Sequence, residues 1–519
     1  MGSNPTSVGR TRPNNIIMLK KNFNSLFTNF LSYSKFSVSL PVTNLIVRSS
    51  QRWHKNFLLS FVSNHVVYYG TPANLTYSWS FGSLAGICLV IQIVSGLFLA
   101  MFYTPHVDLA FASIEFIMRD VNNGWLIRYI HSNGASMFFL VVYCHILRGL
   151  YYNSYSQPRE LLWVSGALLL LLMMATAFLG YVLPWGQMSF WGATVITSMF
   201  SAIPKVGQHI VEWLWGGFTV NNPTLNRFFS FHFFLPFVIV GVVFVHLALL
   251  HKEGSSAPIS DSTGVDQVPF YPYFFVKDLF AFFVFLFVFV WFIYYYPNAL
   301  GDPNNYIIAD PIHTPRHIVP EWYFLPFYAI LRSIPHKTAG ILAMLFSILV
   351  LFALPFINTS LVKDSSSRLI FKIFYFLAIA DFLLLGWLGQ SPVKDGYIFA
   401  GQIATVYYFL FFLVFLPLSG IWETLLTHSF VRLSYWNKNQ KKYCTLLDSH
   451  KDEVLELQRV DKEERLDNVL RWQHLEVIML QKSGQARLNS LLKAHNLEVE
   501  ELKRLKENLP DIKSLFPNS

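Results

Sequence analysis

Four of the chain's 16 histidines differ from the rest, most of which lie near Pro-, Gly- or charge-rich segments. His131 and His145 fall in one apolar stretch, and His232 and His246 in another, each pair separated by 14 residues. At about 100° per residue, such a spacing returns a helix to within roughly 40° of its starting face while advancing about 21 Å. Each stretch, if helical, presents two imidazoles on one side, one turn-set above the other. Neutral imidazole is a metal ligand and a proton carrier near neutral pH. Two imidazoles opposed in apolar surroundings suit a haem iron with both axial positions filled, which carries electrons and leaves no position for oxygen. The competing chemistry is a transporter or channel whose histidines line a proton or metal path.

The elements that position them follow from composition. The chain has 519 residues, 53% hydrophobic, 17% aromatic and only 13% charged. A soluble domain carries about a quarter charged residues, so the solvent implied here is lipid. A secreted disulfide scaffold, a disordered chain and an ordinary cytosolic enzyme are excluded. Eight stretches approach the roughly 20 apolar residues of a membrane span: about 81–103, 128–152, 161–183, 228–251, 276–296, 338–358, 369–389 and 398–422. Backbone in hydrocarbon must satisfy itself, so these are expected to be helices. The fold class is therefore an all-α membrane protein, the first four spans forming the histidine-bearing bundle. The second and fourth spans run in the same direction, which sets His131 opposite His232 and His145 opposite His246.

Charge places the remainder. The last 88 residues, from Arg432, hold 30 of the 69 charges, with apolar residues at helical spacing among them. They read as a charged helical extension that binds a partner. The leader is basic and free of acid before Asp108; it resembles an organellar transit segment, and its charge predicts a non-translocated N-terminus. Eight spans return the C-terminus to that side. The net charge of +9 is diluted among Phe, Leu and Ile, so nucleic acid is excluded as a partner. Cys88, Cys144 and Cys444 form no CxxC pair, and Cys88 and Cys144 read as packing residues.

Two connections exceed simple turns. Residues 184–227 hold four tryptophans and suit short amphipathic helices; residues 297–337 hold seven prolines, and long loops between spans usually carry function. Both lie on the side opposite the N-terminus. Gly82 and Gly96 in the first span, and Gly166 and Gly180 in the third, repeat the 14-residue interval. Glycine lets a helix backbone approach a bulky neighbour, although ordinary helix contacts also use it. Arg128 and Arg148 each lie three residues from a histidine, where they pair with acidic groups of a cofactor or snorkel to the interface. Glu321, in its Pro-framed loop, is a proton acceptor or an interface carboxylate. Asp381, in the seventh span, reads as interior polar packing.

Four segments carry a resemblance: FGSLAGICLVIQIVSGLFLAMFYT from Phe81, LIRYIHSNGASMFF from Leu126, GYVLPWGQMSFWGATVITS from Gly180 and PEWYFLPFYAILRSIPHK from Pro320. Over roughly residues 64–428 the chain resembles the mitochondrial cytochrome b family, the di-haem subunit of the bc1 complex. Both halves of that fold are present in one chain. The resemblance implies an enzyme, quinol–cytochrome c reductase, with two haem b groups and ubiquinone as substrate. It implies the Q cycle: quinol is oxidised at an outward site, and quinone is reduced at an inward one. His131 and His232 would ligate the low-potential haem, His145 and His246 the high-potential one. Arg128, Arg148, Gly82, Gly96, Gly166 and Gly180 would line them.

The implied outward site takes Glu321, Tyr323, Tyr328, Phe178, Tyr181 and Gly192. The inward site takes His251, Asp278, Lys277, Ser83 and Ser255. Lys252 stands where the family has Glu, so the rim of that pocket is expected to differ. The implied partners are the Rieske iron–sulfur protein, cytochrome c1 and membrane lipid in an obligate dimeric complex. The implied location is the mitochondrial inner membrane, with both termini on the matrix side. The expected organisation is a basic extension at 1–60, a haem-binding domain at 61–270, a C-terminal domain at 271–430 and the charged extension at 431–519.

Overall fold

A computed structural model describes residues 63–258, 267–361 and 368–426, with two isolated positions at 493 and 500. The extensions expected at 1–60 and 431–519, and Cys444 with them, lie outside the described residues. Within them are eight helices long and apolar enough to cross a membrane. Their order matches the spans read from the sequence.

The first group comprises α1 (Phe81–Ala100), α3 (Gly124–Tyr151), α4 (Glu160–Val182) and α7 (Asn222–Glu253). Helix α1 packs chiefly on α3, and α4 on α7. The short helix α2 (Ala110–Arg119) packs back on α3. The tryptophan-rich connection forms α5 (Gln187–Ser198) and α6 (Gly207–Trp215), as its composition predicts. Helix α7 starts sharply because Asn221 and Thr224 form a reciprocal capping box, with Pro223 in the first turn. Gly216 ends α6 at φ 71°, and a Cβ there would lie 2.7 Å from Pro223.

Helix α8 (Tyr273–Tyr295) leans on α3 and α1. The second group then consists of α9 (Leu325–Ser333), α10 (Lys337–Ile357), α11 (Leu369–Gln390) and α12 (Asp395–Leu410), the last continuing helical to Leu426. Ile330, Leu354 and Leu385 are fully buried at the centre of this group; truncating such a side chain to alanine costs about 2–5 kcal/mol. Polar atoms in these helices mostly cap backbone. Arg332 donates to the carbonyls of Gly389 (2.8 Å) and Ser391 (2.9 Å) at the end of α11. Arg368 donates to Glu423 at 2.8 Å, whose other oxygen accepts the Phe371 N–H. Asp381 is buried, as expected of interior packing, and its Oδ2 has no hydrogen-bond partner.

Among the described residues, hydrogen bonds join the two groups. Trp163 donates to Leu351 O (2.6 Å), Tyr375 to Leu147 O (2.9 Å) and Tyr143 to Tyr323 O (2.5 Å). At the far end from Glu321, β1 (Gly70–Pro72) pairs antiparallel with β2 (Gln267–Pro269). This short ladder ties the segment before α1 to the connection after α7.

Candidate functional site

Helices α3 and α7 bring His131 and His232 face to edge, ring centroids 6.1 Å apart and planes at 84°. An imidazole nitrogen binds a first-row metal at about 2 Å. Half a ring adds roughly 1 Å on each side, so two opposed ligands require about 6 Å between ring centres. The observed separation meets that requirement.

The outer ring nitrogens of three histidines are held from behind. Ser95 Oγ lies 2.9 Å from His131 Nδ1 and already donates to Ile91 O at 2.6 Å. A serine has one proton to give, so here it accepts from Nδ1–H. Ser165 repeats the arrangement: its Oγ donates to Leu162 O (2.8 Å) and meets His246 Nδ1 at 2.8 Å. His232 Nδ1 faces the Thr176 carbonyl at 2.8 Å. These contacts fix the tautomer with Nε2 bare, the form that ligates a metal. His145 differs. Its Nδ1 lies 3.2 Å from Arg148 Nη2, and a guanidinium only donates, so this Nδ1 accepts.

The glycines prove to be the seats of these rings. A Cβ on Gly180 would lie 2.3 Å from His232 Cε1, and one on Gly96 3.1 Å from His131 Cε1. The corresponding distances are 3.2 Å for Gly166 to His246 and 3.4 Å for Gly82 to His145. Each glycine thus clears a helix for one imidazole, a sharper role than the general close approach expected from their spacing.

A cavity of about 500 Å³ opens beside the first pair, lined by His131, His232, Gly96, Gly180, Arg128 and Gln92. Gln92 Nε2 is buried there with no hydrogen-bond partner. Two anchored imidazoles 6.1 Å apart, a cleared helix surface and an apolar cavity of ligand size fit a flat metal-bearing macrocycle. Among the described residues, no three of His, Cys, Asp or Glu converge as a metal site.

The same cavity extends to Tyr181, Glu321, Tyr323 and Asp302. Burial, reinforced by the Asp302 carboxylate, lifts the Glu321 pKa to about 7, against the opposing pull of the Tyr181 hydroxyl and the Arg128 guanidinium. A carboxyl poised there both accepts and releases protons near neutrality. Tyr323 is buried and stacked on Phe139 at 3.9 Å with planes 1° apart. Tyr328, Phe178 and Gly192 do not line this cavity. Tyr328 donates to Ile318 O at 3.3 Å, Phe178 packs on Phe228, and Gly192 faces open space.

At the opposite end the expected residues are engaged by the segment before α1. His251, in the last turn of α7, has the Tyr69 ring 4.3 Å away and the His65 ring 5.1 Å away. Lys277 donates to Leu75 O at 2.6 Å, and Ser83 to Ser80 O at 2.9 Å. Lys252, the departure at the rim, pairs with Glu253 at 3.1 Å. The Ser255 carbonyl accepts from Arg159 at 3.3 Å. Asp278 sits on α8 one residue beyond Lys277.

Sequence reasoning missed Ser95, Ser165, Thr176, Asp302 and the residues before α1. A signal existed for two of these: Ser95–Gly96 and Ser165–Gly166 are Ser–Gly pairs at histidine-matching glycines.

Residues 66–254 match the family described as Cytochrome b/b6/petB, and residues 308–409 that described as Cytochrome b(C-terminal)/b6/petD. A protein named cytochrome b from Phytophthora megasperma is 61% identical over 375 residues, 72% of this chain and 98% of that one. Its counterpart from Marchantia polymorpha is 59% identical over 372 residues, 72% of this chain and 92% of that one. A solved structure described as a hyperthermophilic respiratory Complex III aligns with TM-score 0.67 at 34% identity, over 72% of this chain and 98% of that chain.

Proposed function

The chain belongs to the cytochrome b family, and from that premise we propose how its residues divide the work of quinol–cytochrome c reductase, the respiratory complex III in which it is the electron-transfer subunit. Two haem b groups, one held by His131 and His232 (low potential) and one by His145 and His246 (high potential), would supply one-electron carriage across the membrane. Ser95, Thr176 and Ser165 hold three of those ligands in the binding tautomer. Gly82, Gly96, Gly166 and Gly180 admit the rings. Arg128 and Arg148, at the two ends, neutralise the acidic edge of the cofactors.

Glu321 works where quinol loses protons. Quinol oxidation releases two protons with its two electrons, and a carboxyl with pKa about 7 takes one as the hydroxyl O–H breaks. Tyr181 and Tyr323 shape this outward pocket, while Phe178, Tyr328 and Gly192, which do not line the cavity, belong to it by family position alone. At the inward pocket, reduction consumes protons. There His251 and Asp278 donate to the quinone oxygens, with Lys277, Ser83 and Ser255 around them. Residues 61–270 then form the haem-binding domain and 271–430 a second domain carrying the PEWY loop.

The same reading gives the partners. One electron passes to a Rieske iron–sulfur protein and cytochrome c1, within a dimeric complex of the mitochondrial inner membrane. Both termini face the matrix, where the charged extension at 431–519 docks on another subunit.

One observation supports this division most: anchored imidazoles 6.1 Å apart share a cavity with Glu321. Reduced-minus-oxidised absorption of the purified complex is expected to show two b-type signals, with quinol-dependent reduction of cytochrome c. Both signals persisting after His131 and His145 are replaced would overturn the assignment of ligands.

A further inference from the structure

The inward pocket contains a second imidazole that none of the assignments above uses. His65 lies on the helical turn Ser63–Val67, and its ring sits 5.1 Å from that of His251 with planes 35° apart. Tyr69 covers the other approach, its ring 4.3 Å from His251 and its hydroxyl donating to Leu250 O at 3.4 Å. The placement is built. Gly70 pairs with Pro269, Phe270 N–H bonds to Tyr69 O at 2.8 Å, and Tyr271 N–H bonds to Val67 O at 3.4 Å. His65 is therefore strapped against the last turn of α7 by the ladder. Its ring is exposed, whereas that of His251 is half-buried.

Among the described residues, three cations at this end have partners of their own. Lys252 is paired with Glu253. Arg159 donates to the carbonyls of Gly254 and Ser255. Lys277 is spent on Leu75 O. Asp278 sits on α8, one residue beyond Lys277.

We propose that His65 is the relay and positioning partner of His251, returning to it the proton that His251 gives to quinone. This rests on the assignment of His251 to the inward quinone site. Quinone takes up two electrons, one from each of two quinol oxidations at the outward site, and two protons. An N–H bond of His251 breaks as one quinone oxygen gains O–H, and Asp278 protonates the other oxygen. His65, in contact with water, then passes a proton to His251 and takes another from solvent. The arrangement separates two tasks: the half-buried ring meets the substrate, and the exposed ring meets water.

The test uses the intact complex, pre-reduced and pulsed with a short-chain quinone, following alkalinisation with a pH dye and quinone loss by ultraviolet absorption. His65→Gln and His65→Phe are expected to slow both signals roughly tenfold at pH 8, below the 10²–10⁴ of a direct acid. The loss is smaller at pH 6, where solvent supplies protons faster. Adding free imidazole to His65→Ala restores the rate. A wild-type rate in His65→Phe, which keeps an aromatic ring there and loses the proton, overturns the relay. So does slowing that is equal at both pH values and not rescued by imidazole, because that reports a structural role for the segment. The unsubstituted complex serves as the separate check. If it lacks paired b-type signals or does not consume quinone, the functional reading fails, whereas normal behaviour there with unaffected variants removes the relay alone.

Discussion

The two histidine pairs are related by the same 14-residue step, yet the two ends of the bundle are built by different means. At the Glu321 end, neutral groups of the neighbouring spans hold the imidazoles: Ser95 Oγ behind His131 and the Thr176 carbonyl behind His232. The adjoining cavity is walled by helices and the PEWY loop, and burial tunes its carboxyl. At the His251 end, a cation stands behind His145. The adjoining pocket is finished by a segment before the first span and by a two-stranded ladder. The difference follows from chemistry. A site that draws protons from substrate gains from enclosure and a raised carboxyl pKa, whereas a site that supplies protons needs exposed groups connected to water.

The largest expected effect removes a ligand at the enclosed end. His131→Ala leaves His232 without its partner, and quinol–cytochrome c reductase activity should fall to background with loss of one b-type signal. Nearly as large is Gly180→Ala, because its methyl would lie 2.3 Å from His232 Cε1, a separation that forces the ring out of line. Gly82→Ala, at 3.4 Å from His145 Cε1, is ordinary contact and should leave both signals intact. Equal effects of the two glycine substitutions would show that the ring seats are not what the glycines provide.

Next in size is Glu321→Gln, expected to lower quinol oxidation by about 10²–10⁴. The pH sign follows from the raised pKa of about 7: below it the carboxyl is protonated and cannot accept, and above it the base form dominates. Activity of the unsubstituted complex should rise through pH 7, and that inflection should vanish in the variant. The same raised pKa means that the folded state binds the extra proton between the ordinary glutamate range and pH 7, so this group's contribution to stability declines as pH rises across that window. A pH profile unchanged in Glu321→Gln would transfer the proton to another group.

Much of the enclosed end was legible in the residues. Spans are readable because lipid forbids charge over a long run, and the histidine interval survives as arithmetic on a helix. The interface helices α5 and α6 announced themselves through Trp191, Trp213 and Trp215. Helix α2 did not, because Ala110–Arg119 is only 10 residues and carries charge, so neither span length nor tryptophan marks it. The His251 end was only half legible. His251 stands out in the sequence, but His65 and Tyr69 reach it through strand pairing between Gly70–Pro72 and Gln267–Pro269. Three-residue strands about 200 positions apart leave no periodic pattern to read. Ser95 and Ser165 were legible and overlooked, since a serine beside glycine in a span reads first as small-residue packing.

The smallest effects test those serines against the arginine. Ser95→Ala removes the acceptor of a buried Nδ1–H, leaving the ligand free to rotate or to move its proton to the metal-facing nitrogen. Loss of such a partner typically lowers metal-site affinity 10–100-fold, so the b-type signal at the Glu321 end should wash out in detergent before the other. Arg148→Gln should act differently at the second pair. In the present arrangement Arg148 donates to His145 Nδ1, which places the ring proton on Nε2, the nitrogen that must be bare to ligate. Arg148 Nε is also buried without a partner, so the guanidinium is poorly satisfied where it stands. Ligation therefore requires Arg148 to withdraw from the ring, and its replacement by glutamine should weaken retention of that signal by less than Ser95→Ala weakens the other. Retention measured as signal remaining after graded detergent washes ranks the two. If Arg148→Gln proved the more damaging, the guanidinium would be holding the cofactor's acidic edge more strongly than it opposes the ligand, and the contrast between neutral and cationic support would disappear.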